Sequence, residues 1–179
     1  DAPNQHLYTN AIRPCPGASH IRIGFPTRFL PESQQVEPIF MASRDGLVFH
    51  RYDAAVIPQT APAERAGNRS NYMANGLLSL PDFPDEWSVY ASEAYYEGPD
   101  SRLRRFVYRK EGLVALAGTG DVLSRPLTFT GSQMTLNYRC RPSGSLRVEL
   151  CDDDGKPLSG YSANDAVPLT GDSVDAVVQ

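Results

Sequence analysis

The feature that most constrains this chain is a turn sequence that occurs twice: an acidic residue followed by glycine, leucine and valine. The first copy occupies residues 45–48, the second occupies residues 111–114, and each follows a strand-like run. Because glycine accepts the positive φ that tight turns require, each copy predicts a β-hairpin. The expected hairpins join residues 39–43 to 47–52, and residues 103–109 to 113–117.

The segments that precede the two turns also match in order. Residues 8–12 are answered by residues 72–77, and residues 21–25 by residues 87–92. Four extended runs in each of two successive units are typical of β-propeller blades. The alternative is a pair of unrelated hairpins that share a turn type. We favour the repeat and predict two propeller-type four-stranded blades, an incomplete propeller, in residues 1–118.

The remainder of the chain has a different pattern. Apolar and polar residues alternate in residues 134–138 and 146–150, as in half-buried antiparallel strands, and we expect residues 134–140 and 146–150 to form a hairpin. A final strand is predicted at residues 174–179, pairing at an edge or with strands beyond this chain. Residues 119–179 are therefore predicted to be a β-sandwich module, at least in part. No segment predicts a helix, so the expected fold class is all-β: two propeller-type blades followed by a partial antiparallel β-sandwich.

Composition excludes several functional classes. The chain has 17 basic and 21 acidic residues, a formal net charge of −4, which does not favour nucleic acid as a partner. No apolar run approaches the length of a membrane span. The 3 histidines and 3 cysteines lack metal-ligand spacing, so no metal or cofactor is expected and the cysteines are predicted to be free thiols. The compartment is left open, with secreted and periplasmic locations included.

Four residues are candidates for contact with a sugar. Glu93 lies among aromatic residues, and rings with an occasional carboxylate suit carbohydrate binding; the alternative is an exposed strand carboxylate. Arg28 lies between aromatic residues and is suited to hold a carboxylate or a sugar hydroxyl, or alternatively to stack on a neighbouring ring. Tyr8 and Asn10 are candidates because they lie on a predicted inner strand.

Other charged residues leave alternatives open. Glycoside hydrolysis needs two carboxylates roughly 5 to 10 Å apart, and the available partners for Glu93 are Glu37, Asp45 and Asp53. Asp45 is better explained as a turn brace whose side chain accepts hydrogen bonds from backbone N–H groups. A cluster of cations on one predicted strand fits either an anion site or a solvated outer strand; it comprises Arg102, Arg104, Arg105, Arg109 and Lys110.

Several segments together resemble a known group of proteins, and they are residues 25–29, 38–46, 101–106 and 146–150. They resemble uncharacterised bacterial proteins that are similar to the five-bladed propeller glycosidases, which include fructan and arabinan hydrolases and carry a C-terminal β-sandwich. The resemblance implies the C-terminal portion of a glycoside-hydrolase-like protein that acts on or binds carbohydrate. It also implies that the nucleophile and general acid lie on earlier blades, outside this chain, and that the rest of the propeller is a partner. The alternative is a non-catalytic interaction or structural module.

Overall fold

The computed structural model describes residues 4–67, 69–95 and 97–179. The chain divides into two compact units, Asp1–Leu113 and Val114–Gln179. The prediction of an all-β fold with antiparallel sheets is confirmed. Within the described residues the helical structure is a single 3₁₀ turn at Gly98–Asp100, and no helix there is long and apolar enough to cross a membrane.

The first sheet is an antiparallel meander four strands wide, and two of these strands are each broken into two shorter ones. Its strands are β1 (His6–Leu7), β2 (Arg13–Cys15), β3 (Ala18–Gly24), β4 (Thr27–Leu30), β5 (Gln35–Ser43) and β6 (His50–Ala55). Strands β3 and β4 both pair with β5 and are two parts of one long strand. This strand is interrupted at Phe25-Pro26, because proline has no N–H to donate to a neighbouring strand. Strands β1 and β2 pair with β4 and β3 on the other side, and β6 pairs with the free edge of β5.

The second sheet is an antiparallel meander three strands wide. Its strands are β7 (Tyr72–Met73), β8 (Leu78–Leu80), β9 (Phe83–Glu93) and β10 (Arg102–Arg109). Strands β7 and β8 both pair with the same edge of β9 and together occupy one strand position. Strand β10 pairs with β9 without a register shift, from Arg102 opposite Glu93 to Arg109 opposite Glu86. This regular pairing fixes which side chains of β9 and β10 share a face.

The first predicted hairpin forms between β5 and β6, but its second strand begins at His50 instead of residue 47, and a small hydrogen-bond network holds the turn. Asp45 Oδ1 accepts hydrogen bonds from the backbone N–H groups of Leu47 and Val48, both at 2.8 Å. Ser43 Oγ donates to Asp45 Oδ1 at 2.9 Å and accepts from Gly46 N at 2.9 Å. Gly46 has φ 75°, the conformation that explains glycine at this position. Asp45 is thus the turn brace that its sequence context predicts.

The second predicted hairpin does not form. Strand β10 ends at Arg109, and the described backbone at residues 113–117 contains no strand. The position two residues before the acid is Ser43 in the first copy but Arg109 in the second, which has no hydroxyl to hold the turn. Gly112 N bonds instead to the backbone oxygen of Arg109 at 3.0 Å. The second propeller-type blade was predicted to have four strands, and the prediction of its last strand, at residues 113–117, is therefore wrong.

The apolar core of the first unit joins the two sheets. Its buried cluster contains residues from both, namely Ile23, Phe25, Phe40, Met73, Leu77, Trp87 and Val89. Alternate residues of β9 supply one side, since Trp87, Val89 and Ala91 are at most 4% exposed. Tyr108 Oη on β10 also donates to Val56 O beside β6 at 2.6 Å, and burial raises the pKa of Tyr108 to about 12.

The second unit contains one antiparallel strand pair, β11 (Thr135–Arg139) with β12 (Asp172–Val177). The two strands at residues 134–140 and 174–179 are approximately as predicted. The hairpin between residues 134–140 and 146–150 is wrong, because β12 is the partner of β11 and Cys140 N continues that pairing to Gly171 O at 2.7 Å. Residues 146–150 contribute an isolated bridge between Leu146 and Leu169 instead of a strand. All three cysteines are free, as predicted.

We expect Phe25→Ala to lower the free energy of unfolding by about 3–5 kcal/mol, because it removes a fully buried ring from the core that joins the two sheets. Urea unfolding followed by tryptophan fluorescence measures the change. Leu103→Ala is the control, since Leu103 is 69% exposed and we expect a change within about 0.5 kcal/mol. Equal losses in both variants would contradict the assignment of this core.

The turn at Asp45 gives a pH dependence. Hydrogen bonds from the backbone N–H groups of Val48 and Leu47, and then from the Ser43 hydroxyl, lower the pKa of Asp45 from 3.8 to about 2. A carboxylate whose pKa is lower in the folded state than in the unfolded state stabilises the fold at any pH above its unfolded-state pKa. This contribution is lost as the pH falls through the folded-state pKa. We therefore expect the difference in unfolding free energy between the wild type and Asp45→Asn to be present at pH 5 and to close as the pH approaches 2. Asp53→Asn, which removes an exposed charge from the same sheet, is the control. A difference that stays constant across this range would contradict the prediction.

Candidate functional site

The candidate site begins where the buried face of β9 changes from apolar to charged. Trp87, Val89 and Ala91 lie on one face, and Glu93 is the next residue on it. Glu93 ends β9, lies opposite Arg102 of β10 and has no exposed surface. A carboxylate in this position must be paired, because burying an isolated charge is costly.

Three arginines pair with the Glu93 carboxylate. Arg104 Nε contacts Oε2, and its Nη2 lies 3.5 Å from Oε1. Arg65 Nη1 donates to Oε1 at 3.1 Å, and Arg102 Nε lies 3.4 Å from the same oxygen. Arg102 and Arg104 are two positions apart on β10, so strand alternation places both on the face that carries Glu93. Arg65 comes from the long loop before β7.

The charges around Glu93 fix its ionisation. Burial by itself would raise the pKa of Glu93, but the hydrogen bonds and charges of Arg104, then Arg65 and Arg102, outweigh this effect and lower the pKa. Glu93 also raises the pKa of Arg104 through their hydrogen bond. The carboxylate is therefore ionised near neutral pH, which suits a binding or organising group and does not suit a general acid.

A polar pocket of about 280 Å³ opens beside this cluster, and its lining residues are Glu64, Arg65, Ala66, Glu93, Asp100, Arg102 and Arg104. Arg104 Nη1 bonds to Glu64 Oε1 at 2.6 Å, so Arg104 bridges two carboxylates. Asp100 contributes its backbone oxygen, which accepts from Arg65 Nη1 at 3.1 Å. The pocket therefore offers guanidinium donors and carboxylate acceptors side by side.

The loop that carries Arg65 is attached to the first sheet. Ser70 Oγ accepts from Val36 N of β5 at 3.1 Å, and Asn71 N bonds to Val36 O at 3.4 Å. Asn71 Nδ2 reaches back to Ala61 O at 3.1 Å. These bonds attach the end of the loop to the first sheet, and the bond from Arg65 to Glu93 joins the loop to the end of β9.

The structure places Arg28 in a different environment. It is 8% exposed and lies on β4 opposite Glu37. Its Nη2 and Nε bond to Glu37 Oε1 at 2.5 and 3.1 Å, and Nη2 also donates to Asp53 O at 2.9 Å. The guanidinium is thus used inside the first sheet, and Glu37 is used with it.

Tyr8 and Asn10 lie beside β1 in the first sheet. The Tyr8 ring is 51% exposed and stacks on Phe29 with ring centroids 5.4 Å apart. Asn10 accepts a backbone bond from Phe25 N at 2.9 Å through its own carbonyl. Of the four predicted residues, Glu93 lines the pocket, whereas Tyr8, Asn10 and Arg28 are not among its lining residues.

The sequence analysis identified two parts of this pocket, Glu93 and the cation cluster that contains Arg102 and Arg104, and it did not identify Glu64 and Arg65. The loop at residues 59–70 is long enough to be expected to have a function, yet nothing in the sequence distinguishes Glu64 and Arg65 from its other charged residues. Arg102 and Arg104 belong to the cation cluster for which an anion site and a solvated strand were both open. The pairing of β10 with β9 places them beside Glu93.

No family model, curated protein or solved structure matches this chain. Within the described residues no group of three or more His, Cys, Asp or Glu side chains is arranged to hold a metal ion.

We expect Arg104→Gln to lower the free energy of unfolding by about 3 kcal/mol, because it leaves a buried carboxylate with fewer partners. The double variant Arg104→Gln/Glu93→Gln should lose less than the sum of the two single variants, and urea unfolding measures this coupling. Arg105→Gln, on the other face of β10, is the matched control for coupling to Glu93. Losses that add within about 0.5 kcal/mol would contradict the ion pair.

Proposed function

We propose that this chain is the C-terminal portion of a glycoside-hydrolase-like protein and that its Glu93 pocket binds carbohydrate. The observation that carries the proposal is the buried Glu93 carboxylate, held by Arg65, Arg102 and Arg104 at the wall of an open polar pocket. The fold supports the proposal through its two successive antiparallel meanders, which share one core as neighbouring propeller blades do.

The pocket chemistry suits sugar hydroxyl groups. A hydroxyl donates one hydrogen bond and accepts others, so neighbouring guanidinium donors and carboxylate acceptors match it. Arg104 and Glu64 provide such a pair at the pocket, whereas the buried Glu93 carboxylate holds the arginines in place. The volume of about 280 Å³ lies close to the lower limit of about 300 Å³ for small-molecule pockets.

The proposed role of Glu93 is to hold the arginines of the pocket in place rather than to transfer a proton. A glycosidase general acid needs a raised pKa, whereas the arginines lower the pKa of Glu93 against the effect of burial. Glu37 is paired with Arg28, and Asp45 is held in its turn. The proposal therefore assigns the catalytic carboxylates to blades outside this chain, as the resemblance implies.

A second candidate function is that of a non-catalytic interaction module. It is favoured by large apolar side chains that are exposed in the second unit, among them Val122, Leu123, Leu127 and Phe129, which are 64–80% exposed. Side chains of this kind often mark a surface that another protein region covers. The rest of the same propeller is the partner that the first proposal supplies for them.

A glycan array probed with the 179-residue chain tests carbohydrate binding. We expect binding to at least one glycan class, with affinity lowered at least tenfold by Glu93→Gln because the arginines lose their organising charge. Glu86→Gln is the matched control, since Glu86 lies at the other end of β9 and contacts Arg105 on the opposite face.

Amide chemical-shift mapping of the wild type provides a readout that does not depend on the stability of a variant. A bound glycan should shift the amides of Arg65, Glu93 and Arg102 and leave those of β11 unchanged. Absence of binding across the array, or shifts confined to the second unit, would overturn the proposal and favour the interaction module.

A further inference from the structure

Arg102 differs from the other two arginines around Glu93. Its side chain is 55% exposed, compared with 12% for Arg65 and 27% for Arg104. Its contacts use Nε, which lies 3.4 Å from both Glu93 Oε1 and Asp100 O. Within residues 4–67, 69–95 and 97–179, neither Nη group of Arg102 has a hydrogen-bond partner.

The other two arginines at the pocket, Arg65 and Arg104, are matched to the carboxylates of Glu93 and Glu64. Glu93 is held at shorter range by Arg104 and Arg65 than by Arg102. Glu64 is held by Arg104 Nη1 at 2.6 Å. Asp100 meets both Arg65 and Arg102 through its backbone oxygen. Arg102 is therefore the cation whose charge the protein uses least, and it lies on the pocket wall.

We propose that the pocket selects an acidic sugar, with the free Nη edge of Arg102 binding the carboxylate of a uronic acid residue. This inference rests on the proposed carbohydrate function and adds the substrate class. The planar guanidinium edge presents two parallel donors, a geometry that matches the two oxygens of a carboxylate. Neighbouring hydroxyls of the same sugar then lie beside Glu64 and Arg104.

A neutral sugar is a poorer match to this pocket. Covering Arg102 with a neutral ring removes water from a cation without supplying the opposite charge, which costs free energy. A carboxylate supplies that charge and two charge-assisted hydrogen bonds. Because Arg102 is more than half exposed, salt should weaken this attraction.

The test compares two ligands that differ only at C6, methyl β-D-glucuronide and methyl β-D-glucoside. Each is titrated into the isotopically labelled 179-residue chain, and affinity is taken from amide shifts at the pocket. We expect the glucuronide to bind at least tenfold more tightly at low salt and this preference to shrink as salt is added.

Three variants locate the selectivity. Arg102→Gln should abolish the preference for the glucuronide, because the variant lacks the guanidinium edge that binds the carboxylate; the readout is the ratio of the two affinities, whatever happens to binding of the glucoside. Arg105→Gln removes the same charge from the opposite face of β10 and should leave the preference unchanged. Glu64→Gln removes a negative charge and releases Arg104 Nη1, so it should strengthen binding of the glucuronide several-fold.

The possible failures are distinguishable. Equal affinity for the two ligands, or full selectivity in Arg102→Gln, would overturn the acidic-sugar inference and leave carbohydrate binding intact. A sulfated glucoside that binds more tightly than the glucuronide would overturn the carboxylate assignment. Failure of these ligands together with a blank glycan array would overturn both proposals. If Arg102→Gln does not fold, two other measurements decide. The inference would be overturned if Glu64→Gln bound the glucuronide no more tightly than the wild type, or if salt did not reduce the preference of the wild type for the glucuronide.

Discussion

The buried negative charge of Glu93 is the constraint on which the organisation of the site depends. A carboxylate with no exposed surface is tolerated only when cations surround it. Strand β10 meets this need with two arginines on one face, and a loop attached to the first sheet supplies the third. The pocket forms because these three side chains converge on one carboxylate from two segments, β10 and the loop before β7. The apolar core below them, which includes Trp87 and Val89, keeps the two sheets close enough for this convergence.

Local patterns in the sequence predicted those parts of the fold whose causes are local. The first hairpin could be predicted because Ser43, Asp45 and Gly46 carry the complete set of groups that its turn uses. The second copy of the turn keeps the acid and the glycine but has Arg109 in place of the serine, and its hairpin is absent. The partner of β11 was missed for a different reason. Alternation shows that a run is half-buried, but it does not say which distant run pairs with it.

The candidate site shows the same limit. Glu93 stood out as an acid among aromatic residues, and strand alternation already separated Arg102 and Arg104 from Arg105. Arg65 could not be identified in the same way, since its approach to Glu93 depends on bonds between Val36 and the Ser70-Asn71 segment. Arg28 looked equally suited to a ligand in the sequence, but its cross-strand neighbour is Glu37, which takes up its charge. Pairing across strands therefore decided that Arg28 is used within the first sheet, whereas Arg102 and Arg104 line the pocket.

The attachment of the Arg65 loop to Val36 has a mechanical consequence. One wall of the pocket is tethered to the first sheet, whereas Arg102 and Arg104 belong to the second. A molecule that contacts both walls can bind only while the two sheets remain docked, so its binding free energy adds to their cohesion. Occupancy of the pocket would then act as a clamp that slows separation of the sheets, even though the ligand touches none of the apolar residues that hold them together.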